Sequence, residues 1–206
     1  METLQKSLEI NVLPPRWVAN TNFTKKALQE WFAELLVRVE QLQEWTDLVE
    51  TPSVLWISGL FNPMSYLTAI MQVTARAEGL PLDDICLKTE VKNSFSKEDF
   101  PTFAAQGAFV TGFFLEGAGW ELGRGDEQGY LVDMQLKELH PIVPIVHVTA
   151  IRRELKQTIA IYDCPTYVTT QRGPTFVFTA GLQMESEEQD VRKWILAGCC
   201  MVMAPE

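Results

Sequence analysis

A chain of 206 residues, 47% of them hydrophobic, is long enough to bury a sizeable core as one large domain or two small ones. Its net charge of -10 and pI near 4.8, with no basic cluster, argue against direct binding to nucleic acid, an anionic membrane or an acidic filament. Phosphate affinity rests on grouped Lys and Arg, which are missing here.

No apolar run approaches the roughly 18 residues of a membrane-spanning helix, and Met1 to Lys6 lacks the apolar stretch of a signal peptide. Leu13-Pro14-Pro15-Arg16-Trp17 is a rigid, extended lead-in, since proline fixes φ and restricts the residue before it. A helix follows, with Asn22 or Thr24 as candidate cap. Leu28, Trp31, Phe32, Leu35, Leu36, Val39, Leu42 and Trp45 recur every three or four residues as a broad apolar stripe. Lys25, Glu30, Glu34, Arg38 and Glu44 mostly occupy the other side. Val54 to Ile57 is a short buried segment that leads into a turn at Ser58-Gly59.

The second helix has both ends marked. Asn62 is a good N-cap, Pro63 suits the first helical position, and Gly79 followed by Pro81 stops the helix. Leu67, Ile70, Met71 and Thr74 form its buried stripe. From Ile85 to Lys92 the pattern alternates as a strand. Asn93 to Gln106 reads as a loop, Gly107 to Glu116 as an aromatic-rich strand, and Gly117 to Gly129 as turn-like. Further strands are expected at 142–150, 157–162, 166–170, 175–179 and 194–202, with an acidic exposed connection at 185–190. The expected fold class is therefore α+β: N-terminal amphipathic helices packed with a C-terminal antiparallel sheet that closes toward a barrel. Residues 1–206 are taken as one domain, mainly helical over about 13–84 and β-rich over about 85–206.

Few residues announce a chemistry. His140 and His147 are seven apart, on opposite faces if both lie on one strand, and no cysteine or carboxylate set nearby completes a tetrahedral metal site. The four cysteines, Cys86, Cys164, Cys199 and Cys200, have no Cys-x-x-Cys spacing and suit a reduced, intracellular compartment. Gly123 to Gly129 is glycine-rich but lacks the Gly-Lys-Ser/Thr of a phosphate loop, so it reads as a hairpin tip. Asp83-Asp84 and the acids near Glu187 read as solvated surface, and no nucleophile elbow is present. Accordingly no catalytic, cofactor-binding or metal-ligating residue is assigned. Trp17, Trp31, Trp45, Trp56, Trp120 and Trp194 are read mostly as core or interface anchors.

Pro52-Ser53-Val54-Leu55-Trp56-Ile57-Ser58-Gly59-Leu60-Phe61-Asn62-Pro63-Met64-Ser65-Tyr66-Leu67-Thr68 resembles the Trp-x-x-Gly-Phe-Phe-x-Pro-x-x-Phe-Leu-Thr signature near the C-terminal end of dynein heavy chains. Other motifs follow in the family's order. Leu13 to Trp17 is similar to Leu-Pro-x-x-Trp, and Ala75-Arg76 with Leu80 to Asp83 resembles Ala-Arg…Pro-Leu/Ile-Asp. Gly107 to Trp120 resembles Gly-x-x-x-x-Gly-Leu-x-Leu-Glu-Gly-Ala-Arg-Trp, and Leu139 to Pro144 is similar to Leu-x-x-x-x-Pro. Tyr162 to Thr169 resembles Tyr-x-Cys-Pro-x-Tyr-x-Thr, followed by Arg172-Gly173-Pro174-Thr175 and the closing Trp194 to Gly198. Gly119 stands where the family has Arg before its tryptophan, so any contact of that arginine is absent or replaced. The loops 94–106 and 123–129 also depart from the family pattern.

The resemblance implies the C-terminal domain of a dynein heavy chain, most like the axonemal, outer-arm type of cilia and flagella. It implies a non-catalytic structural and regulatory role on the AAA+ ring of the same heavy chain. ATP and Mg would belong to the parent motor and not to this segment. Microtubules and other dynein subunits would be partners only through that parent, in the cytoskeleton of an axoneme. Since a dynein heavy chain is far longer, Met1 is expected to begin an expressed fragment. Two competing readings are a stand-alone β-barrel that binds a small ligand and a docking platform for motor subunits. A ligand barrel predicts an interior cavity lined by convergent polar groups; the motor domain predicts a filled core and an exposed apolar patch.

Overall fold

The computed structural model describes residues 2–12, 14, 27–47, 51–125, 127–135, 137, 139–156, 159–185 and 190–204. Trp17, the candidate caps Asn22 and Thr24, Lys25 and most of the acidic run near Glu187 lie outside them, as do Asp126 and Gln157. A first helix that the sequence pattern does not mark, α1 (Glu2–Glu9), is followed by the long helix α2 (Leu28–Asp47). Asn11 joins the two: its side-chain Oδ1 accepts from the Gln29 amide at 3.0 Å, in the manner of a helix cap supplied by the preceding segment.

Beyond α2 lie strand β1 (Val54–Trp56) and helix α3 (Pro63–Glu78). Both ends of α3 agree with the sequence. Asn62 accepts from the Ser65 amide at 3.1 Å, Pro63 opens the helix, and Gly79 closes it in the left-handed conformation at φ 66°. Its buried residues include Leu67, Ile70 and Ala75.

The strands that follow are β2 (Ile85–Val91), β3 (Ala108–Thr111), β4 (Phe114–Glu116), β5 (Gly119–Glu121), β6 (Tyr130–Val132), β7 (Val146–Arg152), β8 (Ile161–Thr169), β9 (Phe176–Gln183) and β10 (Cys200–Ala204), with helix α4 (Arg192–Leu196) before β10. They form a four-stranded sheet ordered β1-β3-β7-β2, a second ordered β4-β10-β8-β9, and the two-stranded hairpin β5-β6. The class is α+β as expected, but the sheets are mixed. β1 runs parallel to β3 and β10 parallel to β8, because each pair is separated in sequence by a crossover.

Several expected boundaries move. The aromatic strand 107–116 breaks at Gly112, whose φ of 101° turns the chain from the first sheet into the second. The turn-like stretch 117–129 contains β5, paired with β6, so the glycine-rich run is indeed a hairpin tip. The segments 157–162 and 166–170 are not separate strands: β8 runs through both from Ile161, with Pro165 in register with Thr179 beside an irregularity at Thr166 and Tyr167. The expected strand 194–202 is instead the short helix α4, holding fully buried Trp194, and then β10.

The two sheets share one core. Leu55, Leu67, Val110, Phe113, Leu115, Val146, Leu182, Trp194 and Met201 belong to a single buried cluster that takes residues from helices and both sheets. The far face of the first sheet is also covered. Val54, Phe109 and Ile145 pack there with Phe100 and Ala104 of the loop 93–106. Phe109 itself stands 4.8 Å from Phe100 and 4.4 Å from the His147 ring. Sheet edges β2 and β9 meet through the Thr89 hydroxyl, which donates to the Gly181 carbonyl at 2.8 Å. No strand ladder joins them among the described residues, so the expected closure into a barrel is not seen there.

Candidate functional site

The apolar stripe of α2 is where sequence and structure part most sharply. Phe32, Leu36, Val39 and Leu42 were expected to be buried, yet they are exposed by 48, 57, 51 and 40%. The side that faces the body carries Leu28, Trp31, Leu35, Trp45 and, between them, Arg38 and Gln41. Gln41 is buried and satisfies both backbone groups of Trp56: its Nε2 donates to the carbonyl at 3.1 Å and its Oε1 accepts from the amide at 2.8 Å. Trp56 lies on β1, an edge strand with one unpaired side. The glutamine amide completes that side as a neighbouring strand would, donating and accepting once each.

Arg38 adds a second anchor. Its Nη1 donates to the Gly59 carbonyl at 2.6 Å, and its guanidinium sits 5.2 Å from the Trp56 ring and 5.9 Å from the Phe61 ring. Burial draws this guanidinium below its ordinary value, and nearby Glu34 opposes the shift. Two glycines also pack closely against the Trp56 indole. A Cβ on Gly59 would stand 2.9 Å from Trp56 Cζ3, and one on Gly112 would stand 2.6 Å from Trp56 Cδ1. The Ser58 hydroxyl donates to the Gly112 carbonyl and closes the same joint. The Trp-x-x-Gly signature and the Gly-x-x-x-x-Gly motif are therefore two halves of one seat for Trp56. That seat fixes how α2 is rotated: Leu28, Trp31, Leu35 and Trp45 of the apolar stripe face the body, and Phe32, Leu36, Val39 and Leu42 turn outward.

A second convergence lies at the far end of the other sheet. Arg172 donates to the Gly198 carbonyl at 3.1 Å and pairs with Glu116 at 3.2 Å. The Tyr162 hydroxyl donates to the Cys199 carbonyl at 2.9 Å, and the Cys200 thiol lies 3.6 Å from Glu116 Oε2. Burial pushes the Cys200 thiol up to about 12, with Arg172 opposing and Glu116 adding to the rise. Four motifs of the sequence, ending at Trp120, Thr169, Thr175 and Gly198, thus meet in one junction. Beside it a cleft of 590 Å³ runs between β8 and α4, lined by Ile161, Tyr162, Asp163, Arg172, Ile195 and Cys199 among others. It is a surface cleft and not the interior cavity that a ligand barrel predicts.

The remaining sequence candidates stay apart. His147 lies on β7, its Nε2 at 2.9 Å from the Gln106 carbonyl, while His140 precedes β7 in an irregular segment. Among the described residues no three His, Cys, Asp or Glu side chains converge as a metal site would need. Gly123 to Gly129 leads into strand β6 and not into a helix, so no helix N-terminus stands there to hold an anion. Gly119, in the place of the family's arginine, opens β5 opposite Val132, where an added Cβ would stand 3.1 Å from Val132 Cγ2. Sequence reasoning missed Gln41 and Arg38 because both are polar and were placed with, or left beside, the solvent face.

Comparison with known proteins agrees with the motifs. The family model for the C-terminal domain of the dynein heavy chain matches residues 1–203. The ciliary dynein beta chain of Tripneustes gratilla is 39% identical over 203 residues, covering 98% of this chain and 4% of that protein. Dynein axonemal heavy chain 17 of Mus musculus is 37% identical over the same length. So is the flagellar outer arm beta chain of Chlamydomonas reinhardtii, at 37%. The chain spans 4% of the length of each of these relatives. It belongs to the family of C-terminal domains of dynein heavy chains.

Proposed function

We propose that this domain is a non-catalytic brace in an axonemal dynein motor, seated on the AAA+ ring of its own heavy chain by the outward face of α2. The observation that carries the reading is the rotation of α2. A helix that spends Arg38 and Gln41 on the body and turns Phe32, Leu36, Val39 and Leu42 to solvent has an unfinished apolar face. The occupant is taken to be the rest of the same heavy chain, because relatives carry this domain as 4% of a very long polypeptide. The net charge of -10 disfavours the alternative that this face meets an acidic microtubule directly. ATP and Mg would be held by ring modules outside this chain.

A rigid body that touches more than one ring module favours some module orientations over others and so biases the motor's states. Motility and ATPase assays on the parent motor, intact and truncated after Asp84, test this. Unchanged basal ATPase with altered velocity, force or processivity supports the brace. Complete loss of ATPase in a folded ring overturns it, since the domain would then be integral to hydrolysis.

A further inference from the structure

One line of the outward surface of α2 changes character along its length. Phe32, Leu36, Glu40 and Glu44 follow one another at intervals of four, and all four are exposed. Residues so spaced are neighbours on one helix face. The line is therefore apolar over its first two positions and carboxylate over its last two, with about 12 Å of helix axis from Leu36 to Glu44. Exposed Val37 and Val39 flank it. Glu34, nearer the body, has its charge answered by Arg38 at 3.9 Å, and Arg38 is itself held by the Gly59 carbonyl. Among the described residues no cation meets Glu40 or Glu44. From 39 to 75 the sequence contains neither Lys nor Arg. Like charges four apart destabilise a helix standing alone, and no described residue offsets this pair.

We infer that the surface receiving α2 is an apolar groove that ends in clustered Lys or Arg side chains, set against Glu40 and Glu44. The inference rests on the reading above that this face is seated on the ring of the same heavy chain. Covering Phe32, Leu36 and Val39 supplies the attraction. The cations fix direction and register. A helix laid in reverse would press its carboxylates onto apolar side chains and strip them of water without a partner. A second copy of this chain is a poorer occupant, since its own α2 offers the same carboxylates and, from 39 to 75, no cation to answer them. An acidic filament is repelled by the same charges.

The test maps the receiving surface in the intact parent motor. A photo-crosslinking amino acid is placed singly at positions 32, 36, 40 and 44, and each linked residue is located by peptide fragmentation. Positions 32 and 36 should link to apolar residues of an AAA+ module. Positions 40 and 44 should link to the same module, at or within one helical turn of a Lys or Arg. Glu40→Lys with Glu44→Lys should lower the yield of the link from position 36 several-fold. Changing the mapped Lys or Arg to Glu in that variant should restore it. Links from position 36 to the ring, with 40 and 44 unlinked or linked to segments without a cation, would overturn the inference and leave the seating of α2 intact. An unchanged yield in the charge-reversed variant would do the same. A position 36 that never links to the ring would overturn the seating itself, and the inference with it.

Discussion

The Gln41 amide and the Trp56 backbone are joined twice, Nε2 to the carbonyl at 3.1 Å and the amide N–H to Oε1 at 2.8 Å. A helix side chain thereby takes the place of a fifth strand beside β1. Replacing Gln41 with Ala leaves a part-buried N–H and C=O without partners, at a cost of about 1–3 kcal/mol. Gln41→Glu keeps the acceptor but sets a carboxylate oxygen against the Trp56 carbonyl at a buried position, so at neutral pH its loss should be at least as large as that of Gln41→Ala. Urea denaturation at neutral pH checks the order of the three proteins.

Gly112 bears two demands at once. Its φ of 101° suits only glycine without strain, and a Cβ would lie 2.6 Å from the Trp56 ring. Gly112→Ala should destabilise by about 1–3 kcal/mol from overpacking alone. The part of the loss due to Trp56 should vanish in a protein that already carries Trp56→Leu, while the parts due to φ and to Ser58 Oγ at 2.5 Å remain, a partition that a double-mutant cycle measures.

Alkaline pH should weaken the fold through the buried thiols. The Cys200 thiol is raised from 9.0 to about 12 in the folded protein, so the folded state keeps a proton that the unfolded state releases. Stability from this group is therefore full below pH 9 and is lost as pH rises toward 12. Cys164 is displaced in the same direction, first by burial and then by Cys199. The urea midpoint should hold steady near neutrality and fall above pH 9, and Cys200→Val should flatten that fall.

The outer face of α2 should matter to association and not to folding. Leu36→Glu with Val39→Glu touches two residues exposed by 57 and 51%, so stability should change by no more than about 0.5 kcal/mol. The wild-type protein should sediment faster as its concentration rises, and the double variant should not. A wild-type sedimentation coefficient that is independent of concentration would count against a docking face.

Much of this fold was legible wherever one local rule acted alone. Asn62, Pro63 and Gly79 mark α3 because capping and left-handed stops are settled by neighbouring residues. The length of α2 was legible from its three- and four-residue spacing, but its rotation was not. Hydrophobic periodicity assumes that the apolar side faces the protein's own core, and here half of that side, Phe32, Leu36, Val39 and Leu42, faces out. Pro165 and the glycines near Gly117 read as breaks, although long-range pairing with Thr179 and with β6 carries the strands through. The junction of Glu116, Arg172 and Gly198 could be read only as separate motifs, since its contacts span residues far apart in the sequence. The motifs themselves were the available signal, because each supplies one side of it.

The central claim is that α2 faces the ring of its own heavy chain. The most direct measurement places a photo-crosslinking amino acid at Leu36 of the intact parent motor, with an equivalent probe at exposed Ile159, just before β8, as control. Irradiation followed by peptide mapping should join position 36 to an AAA+ module of the same polypeptide and leave the control at position 159 unlinked to the ring. Crosslinks from position 36 only to a separate subunit, or none while position 159 links to the ring, would contradict the account.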